Sequence, residues 1–173
     1  GILGLGALGM HCANKLSEFG FKVSGWSRNE KKHSNIKCFY GTSGLNKILS
    51  SSEILVLLLP NTKETKEIIN KKNIEKMLDG VSIINPGRGT LINDDDLISA
   101  LDRGKISGAT LDTFYIEPLP KKHAYWSHPN VLVTPHIAST TRINTACEIV
   151  AKNIHRGETK KPFMYLVDKL SGY

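Results

Sequence analysis

Short apolar segments alternate along the chain with longer segments of helical period. The segments predicted as strands are 2–3, 22–26, 37–40, 53–59, 81–85, 107–112 and 131–134. Helices are predicted after the first glycines to about residue 19, and over 45–50, 63–78, 93–104 and 140–156. The continuous apolar run 53–59 is typical of a strand buried on both faces of a parallel sheet. Strands separated by helices predict an α/β fold, a doubly wound parallel sheet with helices on both faces.

The chain is predicted to form one domain, residues 1–173, in which 157–173 are a basic C-terminal tail. Only Ile2 and Leu3 precede the first glycines, whereas strands usually have about five or six residues. We therefore expect the start of the first strand to lie outside this sequence.

Composition limits the class of protein further. The chain has 173 residues, of which 40% are hydrophobic, so it can bury a core. Its formal charge of +7 suits an anionic partner, which could be nucleic acid, a membrane surface or a phosphorylated small molecule. Cys12, Cys38 and Cys147 are widely separated, which argues against a disulfide framework and favours a reducing, cytoplasmic location. The aliphatic run 54–59 is too short to span a bilayer.

The first predicted strand leads into a glycine motif, Gly4-x-Gly6-x-x-Gly9, followed by a helix. The first glycine allows a tight turn, the second lets the backbone approach a pyrophosphate, and the third lets the helix pack on the strand. The motif predicts a dinucleotide site, although a purely structural turn is the alternative.

The end of the second predicted strand distinguishes between dinucleotides. NAD sites usually carry an Asp or Glu there, on the ribose 2′-hydroxyl. Here the sequence is Ser27-Arg28, with Lys31 and Lys32 close behind and no carboxylate at that position. A guanidinium and a hydroxyl suit a 2′-phosphate, so NADP is favoured over NAD. The alternative is an ordinary solvated surface charge.

Polar residues follow three successive predicted strands, where ligands of open α/β sheets bind. Arg88 follows the first, Asp112 ends the second with Glu117 shortly after it, and His136 ends the third. This combination suits reduction of a carbonyl group. The arginine would polarise the oxygen and hold an acidic substrate, the histidine would deliver a proton, and a carboxylate would orient the imidazole ring.

Other charged groups are interpreted as structural. Asp94, Asp95 and Asp96 could suggest a metal, but acidic residues in the first turn of a helix are favoured by its dipole. The basic runs 31–33 and 160–161 could contact nucleic acid, but no recognition signature accompanies them. We predict no metal site, no nucleic-acid partner and no membrane partner.

The chain resembles the nucleotide-binding domain of the D-isomer-specific 2-hydroxyacid dehydrogenases, and within them the glyoxylate/hydroxypyruvate reductase A branch. The resemblance runs through the whole chain and is carried by residues 4–9, 26–28, 58–62, 85–89, 111–120 and 128–138. It implies an oxidoreductase that uses NADPH to reduce glyoxylate or hydroxypyruvate, and a homodimer.

The resemblance also implies a role for individual residues. Arg88 would bind the substrate and polarise its keto group, His136 would be the general acid, and Glu117 would be its acidic partner. Asp112 would hold the nicotinamide carboxamide. The remaining cofactor contacts would come from Gly4, Gly6, Ala7, Leu8, Gly9, Ser27, Arg28, Leu59, Pro60, Pro86, Gly87 and Ala138, together with Arg88 and His136.

The resemblance further implies that the substrate-binding domain of the family, which is built mostly from residues before the glycine motif, lies outside this sequence. That domain contributes substrate contacts and closes the cleft against water. The alternative is therefore a non-catalytic nucleotide-sensing or interaction domain, or an inactive remnant.

Overall fold

The computed structural model describes residues 1–169, which contain seven β-strands and five α-helices. The strands are β1 (Ile2–Leu3), β2 (Ser24–Ser27), β3 (Lys37–Tyr40), β4 (Ile54–Leu57), β5 (Val81–Asn85), β6 (Ile106–Leu111) and β7 (Val131–Val133). The helices are α1 (Ala7–Glu18), α2 (Gly41–Leu49), α3 (Lys71–Ile74), α4 (Asp94–Asp102) and α5 (Ile143–Glu158). Short 3₁₀ turns, which the sequence pattern did not predict, occupy Gly89–Leu91 and Ala124–Trp126. Residues 170–173 of the predicted tail lie outside the described part of the chain.

All seven strands are parallel and lie in the order β3-β2-β1-β4-β5-β6-β7. The chain winds outward from β1 in one direction and then from β4 in the other. This confirms the predicted doubly wound sheet, and its reversal point lies between β1 and β4.

The two faces of the sheet are covered unequally. One face carries the main core, in which Leu3, Leu55, Leu57 and Ile83 are fully buried together with residues of α2, α3 and α4. The other face has a smaller cluster around Ile2, Ala13 and Ile36, covered by α1. Burial along β4 consequently alternates, and Ile54 at its start is 44% exposed. The prediction that the run 53–59 is buried on both faces was therefore only partly right.

Helix α5 contributes no buried residue, and its Ile143, Val150 and Ile154 side chains are exposed. It begins three residues later than predicted and ends at Glu158. Within residues 1–169, none of the helices has the combined length and apolar character needed to cross a membrane.

The predicted helix over 63–78 was wrong for most of its length, because only Lys71–Ile74 is α-helical. The Thr65 hydroxyl donates to the Pro60 carbonyl at 2.6 Å and accepts from the Thr62 backbone N–H at 2.9 Å. Such local side-chain bonds offer the backbone an alternative to a helix. Asn70 then caps α3, because its side chain accepts from the Asn73 N–H at 3.1 Å. Glu67 lies between the two segments with φ of +50°, which a helix does not allow.

The acidic residues at the start of α4 are bonded within the protein. Asp94 accepts a hydrogen bond from the Tyr125 hydroxyl at 2.8 Å, and Asp96 accepts one from the Lys71 backbone N–H at 2.8 Å. Burial, followed by the neighbouring Asp94 charge, raises the pKa of Tyr125. Asn93 caps the helix as predicted, by accepting from the Asp96 N–H. Within residues 1–169, no group of three His, Cys, Asp or Glu side chains could hold a metal ion.

The contact between α1 and the end of β1 requires glycine at position 9. A Cβ placed on Gly9 would lie 1.8 Å from the Gly4 carbonyl oxygen. We expect Gly9→Ala to displace α1, because the added methyl group overpacks this contact. The free energy of unfolding should decrease by several kcal/mol. Chemical denaturation followed by circular dichroism measures this change.

Gly6→Ala is the matched control, because no atom lies within 4 Å of a Cβ built at Gly6. Its free energy of unfolding should stay within about 1 kcal/mol of the unmodified chain. Equal destabilisation by the two substitutions would contradict the proposed contact.

Candidate active site

A cleft of about 1440 Å³ opens at the carboxyl ends of the strands, beside the reversal point of the sheet. It is lined by most of the residues that the sequence singles out: Gly4, Gly6, Ala7, Leu8, Gly9, Ser27, Arg28, Leu59, Pro60, Pro86, Gly87, Arg88, Asp112 and His136. Glu117 and Ala138 are absent from this lining and instead contact residues that belong to it. The topology thus brings residues from six strand ends, those of β1, β2, β4, β5, β6 and β7, to one surface.

The glycine turn forms one wall of the cleft. Gly4 has φ of +109°, and a Cβ there would lie 2.4 Å from the Leu58 carbonyl oxygen, so the turn requires glycine. The space beside Gly6 is open, and α1 begins directly after it without a side-chain cap. An open backbone surface at the N-terminus of a helix fits a pyrophosphate, which accepts hydrogen bonds from backbone N–H groups. This wall therefore fits the predicted dinucleotide.

The end of β2 forms the basic part of the cleft. Arg28 is exposed and Lys31 lies nearby, whereas Ser27 is buried. The Ser27 hydroxyl donates to the Asn29 carbonyl at 2.7 Å, so it would have to rotate to donate to a ligand. The Thr62 hydroxyl, the backbone of Glu64 and, more weakly, the Arg28 charge lower the pKa of the exposed Glu64 carboxyl. This part of the lining thus combines the Arg28 and Lys31 cations with the Glu64 carboxylate.

Arg88 reaches the cleft from a turn that is shaped by a buried asparagine. Asn85, which is fully buried at the end of β5, accepts from the Gly87 N–H at 3.1 Å and donates to the Arg88 carbonyl at 2.9 Å. The guanidinium donates to the Gly87 carbonyl at 2.7 Å. The backbone of Arg88 is therefore fixed from beneath while its side chain stays at the surface.

His136 and Glu117 form a hydrogen-bonded pair at the same edge. The distance between His136 Nδ1 and Glu117 Oε2 is 2.8 Å, and the Phe114 N–H donates to Glu117 Oε1 at 2.9 Å. The carboxylate is thereby held between a backbone donor and the ring. Because a carboxylate accepts hydrogen bonds, it places the proton on Nδ1 and leaves Nε2 to exchange a proton with a substrate.

Asp112 lies behind this pair at the end of β6 and is only 4% exposed. Oδ1 accepts from the Thr134 hydroxyl at 2.5 Å and from the Ile137 N–H at 2.9 Å. Oδ2 accepts from the Ala138 N–H at 2.9 Å. All three donors belong to the loop that carries His136.

Two opposing effects act on the pKa of the Asp112 carboxyl group and on that of Glu117. Burial alone would raise the pKa of Asp112, but the Thr134 hydroxyl, the two backbone N–H groups and the His136 charge together lower it below its usual value. Burial likewise opposes ionisation of Glu117, and the Phe114 N–H and His136 together lower its pKa. Both groups are therefore held as carboxylates at neutral pH.

Comparison with known proteins agrees with this arrangement. Residues 1–138 match the family described as "D-isomer specific 2-hydroxyacid dehydrogenase, NAD binding domain". The chain belongs to the D-isomer-specific 2-hydroxyacid dehydrogenases. Its fold and its cofactor-binding domain are those of the family, whose members are NAD(P)-dependent oxidoreductases, as the sequence resemblance implied.

Several solved dehydrogenases are similar over nearly the whole chain. A D-isomer-specific 2-hydroxyacid dehydrogenase from Xanthobacter autotrophicus, crystallised with NADPH, is 42% identical with a TM-score of 0.97 over 99% of this chain and 71% of its own. The NADPH-dependent glyoxylate/hydroxypyruvate reductase of Sinorhizobium meliloti, in complex with NADP, is 37% identical with a TM-score of 0.95. The match covers 99% of this chain and 56% of the reductase. A probable 2-hydroxyacid dehydrogenase from Rhizobium etli, also in complex with NADP, is 36% identical with a TM-score of 0.91. The match covers 99% of this chain and 56% of that dehydrogenase. The chain thus spans just over half the length of two of these three relatives.

Sequence reasoning missed the residues that support the dehydrogenase site from behind. Asn85 and Thr134 do not differ in type from many strand-end residues, and Phe114 contributes only its backbone N–H. The one available signal was position, since Asn85 precedes the turn of Arg88 and Thr134 precedes Pro135-His136. The ligand contacts assigned to individual residues stay predictions.

The lowered pKa of Asp112 predicts how the stability of this dehydrogenase domain depends on pH. Its ionised form is stabilised in the folded state, so the contribution is fully present above the unfolded-state pKa of about 3.9. It is lost as the pH falls through the still lower folded-state pKa. We expect the free energy of unfolding to decrease below about pH 4, as measured by urea denaturation at a series of pH values.

Asp112→Asn should lower the free energy of unfolding at pH 7 by about 1–3 kcal/mol, because its amide cannot accept from all three donors. Its stability should then vary less below pH 4 than that of the unmodified chain. An equally steep decrease in the variant would show that Asp112 does not contribute.

Proposed function

We propose that this chain carries the cofactor site and the proton-donating residues for NADPH-dependent reduction of a small 2-keto acid, such as glyoxylate or hydroxypyruvate, to the 2-hydroxy acid. The observation that carries the proposal is the Glu117–His136 pair, at 2.8 Å, beside a cleft that Arg88 and the glycine turn also line. NADPH, when bound, supplies the hydride. The chain's own residues bind the substrate, orient it and deliver the proton.

His136 is the proposed general acid. Its Nδ1 proton is held by Glu117, so the proton delivered to the carbonyl oxygen comes from Nε2 of the imidazolium. Glu117 stabilises the charged ring before transfer and fixes its orientation, because the Phe114 N–H prevents the carboxylate from rotating away.

Arg88 is the proposed substrate-binding residue. A 2-keto acid carries a carboxylate next to its carbonyl group, and a guanidinium can contact both through its planar set of donors. The Asn85 bonds restrict the backbone from which Arg88 extends, so the guanidinium samples a limited region at the mouth of the cleft. The S. meliloti reductase, which acts on glyoxylate and hydroxypyruvate, supports this substrate class.

The glycine turn, Pro60 and Leu59 would contact the pyrophosphate and adenosine parts of the cofactor, and Pro86, Gly87 and Ala138 would lie nearer the nicotinamide. Arg28 would bind the 2′-phosphate, which favours NADP over NAD as in the relatives crystallised with NADP. Asp112 already accepts three hydrogen bonds, so the contact with the nicotinamide carboxamide would use its remaining lone pair.

A second function, nucleotide binding without turnover, is favoured by one observation. The His136 and Glu117 side chains are 49% and 37% exposed, so water reaches the pair from the cleft mouth. Water weakens the electrostatic effects on which proton transfer depends. Binding and turnover must therefore be measured separately. Homodimerisation and a cytoplasmic location stay predictions from the sequence.

Replacing the general acid separates these two functions. With purified chain, NADPH and either glyoxylate or hydroxypyruvate, we expect His136→Asn to lower kcat by about 100- to 10,000-fold, because no group then donates the proton. NADPH affinity, measured by fluorescence titration, should change little.

His155→Asn is the matched control, since His155 is exposed on α5 and is not part of the cleft lining. Equal turnover by His136→Asn and the unmodified chain would refute the role of His136. Saturable NADPH binding without turnover in the unmodified chain would support the non-catalytic alternative.

Arg28 tests the choice of cofactor. Arg28→Ala should raise the Kd for NADPH by roughly 10- to 100-fold, the value of a charge-assisted hydrogen bond, and should change the Kd for NADH by about threefold at most. Fluorescence titration with each cofactor measures both constants.

Arg103→Ala removes an equal charge outside the cleft, where Arg103 forms an exposed ion pair with Glu75, and should leave both constants unchanged. Equal weakening of NADPH and NADH by Arg28→Ala would rule out recognition of the 2′-phosphate by this residue.

A further inference from the structure

The backbone of His136 has a conformation that its own sequence does not favour. Its φ is +55°, in the left-handed region that residues other than glycine adopt only uncommonly. Such a conformation is strained and persists only where neighbouring contacts impose it. Pro135, which precedes His136, has no N–H to contribute. Hydrogen bonds from Thr134, Ile137 and Ala138 restrain the backbone on both sides of this pair.

Those contacts converge on the Asp112 carboxylate from both sides of His136. Thr134 donates its hydroxyl from two residues before, and Ile137 and Ala138 donate their backbone N–H groups from the two positions after. The Thr134 N–H also donates to the Leu111 carbonyl at 3.0 Å, and the His136 N–H to the Thr134 carbonyl at 3.1 Å. Asp112 is thus the common acceptor that closes the loop 134–138 around His136.

Of the three donors to Asp112, Thr134 is the one that acts through its side chain. At 2.5 Å its hydroxyl contact is also the shortest of the three. Its branched Cβ restricts rotation of the hydroxyl, and the bond to Leu111 fixes its backbone at the end of β7. Thr134 therefore restrains the start of the loop, while Ile137 and Ala138 restrain its end.

We infer that Thr134 is a positioning residue for His136: its hydroxyl, through the Asp112 carboxylate, holds the loop 134–138 in the conformation that places the imidazole ring on Glu117. This inference rests on the proposed function for the statement that His136 delivers a proton, but the positioning itself does not depend on turnover. The left-handed backbone aims the ring at Glu117, 2.8 Å away. Without the hydroxyl, two backbone N–H groups remain on Asp112 and the start of the loop is released.

The test compares three substitutions at one position. Thr134→Val keeps the shape but removes the hydroxyl, Thr134→Ala removes the hydroxyl and one methyl group, and Thr134→Ser restores the hydroxyl. Nuclear magnetic resonance of the ¹⁵N-labelled chain reports φ of His136 through its HN–Hα coupling and its intraresidue HN–Hα contact. Hydrogen exchange of the Ile137 and Ala138 amides reports opening of the loop.

We expect the unmodified chain and Thr134→Ser to show the left-handed signature at His136. Thr134→Val and Thr134→Ala should lose it, and their Ile137 and Ala138 amides should exchange roughly 10-fold faster or more. Amides of β4 and β5 should be unchanged, which shows that the variants are folded. In a turnover assay, Thr134→Val should lower kcat roughly 10- to 100-fold while KM and NADPH affinity change little.

Three results would overturn the inference. They are an ordinary negative φ at His136 in the unmodified chain, a left-handed signature retained in folded Thr134→Val or Thr134→Ala, and loss of the signature in Thr134→Ser. The first needs no variant, so the inference is testable even if a substitution prevents folding. Failure of the proposed function would give a different result. The magnetic resonance measurements would be as expected, but neither the unmodified chain nor any variant would reduce a keto acid.

Discussion

The Asp112 carboxylate is the acceptor on which the geometry of the site depends. A buried carboxylate is costly unless hydrogen bonds replace its lost water, and here a hydroxyl and two backbone N–H groups do so. The backbone N–H of the same residue donates to the Asn85 carbonyl at 3.0 Å. Asp112 therefore connects the loop of His136 to the end of β5, from which the turn of Arg88 starts. Displacing this one residue would move two of the three proposed catalytic side chains.

Asn85 and Asp112 are both buried polar side chains that hold the backbone next to an exposed side chain of the proposed site, since Asp112 accepts from the Ile137 and Ala138 N–H groups that follow His136. Asn85 is fully buried and bonds to the backbone of Gly87 and Arg88. Its hydrogen-bonding groups would be costly to leave unpaired, so the turn cannot change shape cheaply. Arg88 and His136 can consequently be exposed, as ligand contact requires, without losing a defined backbone position.

The fold and the choice of candidate residues followed from the sequence, because both depend on local pattern. The parallel sheet follows from strands spaced by helices, and Arg88, Asp112 and His136 follow from the rule that ligands bind at strand ends. The supports did not follow, since the Thr134–Asp112 bond joins residues 22 positions apart and needs the β6–β7 pairing to bring them together. The helix predicted over 63–78 was wrong for a different reason. The Thr65 hydroxyl bonds to the backbone of Pro60 and Thr62, and the hydrophobic period of a sequence does not reveal such a competing bond.

The two ends of the cleft differ in their exposure to water. At the glycine turn, the contacts that shape the backbone are buried and internal, so a dinucleotide would meet a preformed surface. At the Glu117–His136 pair, the geometry is equally well defined but both side chains are substantially in water. The attraction between the two charged groups is several times weaker in water than in a dry site at the same distance. The buried contacts of the glycine turn therefore favour binding of the cofactor, whereas water around His136 and Glu117 weakens the electrostatic stabilisation that proton transfer uses.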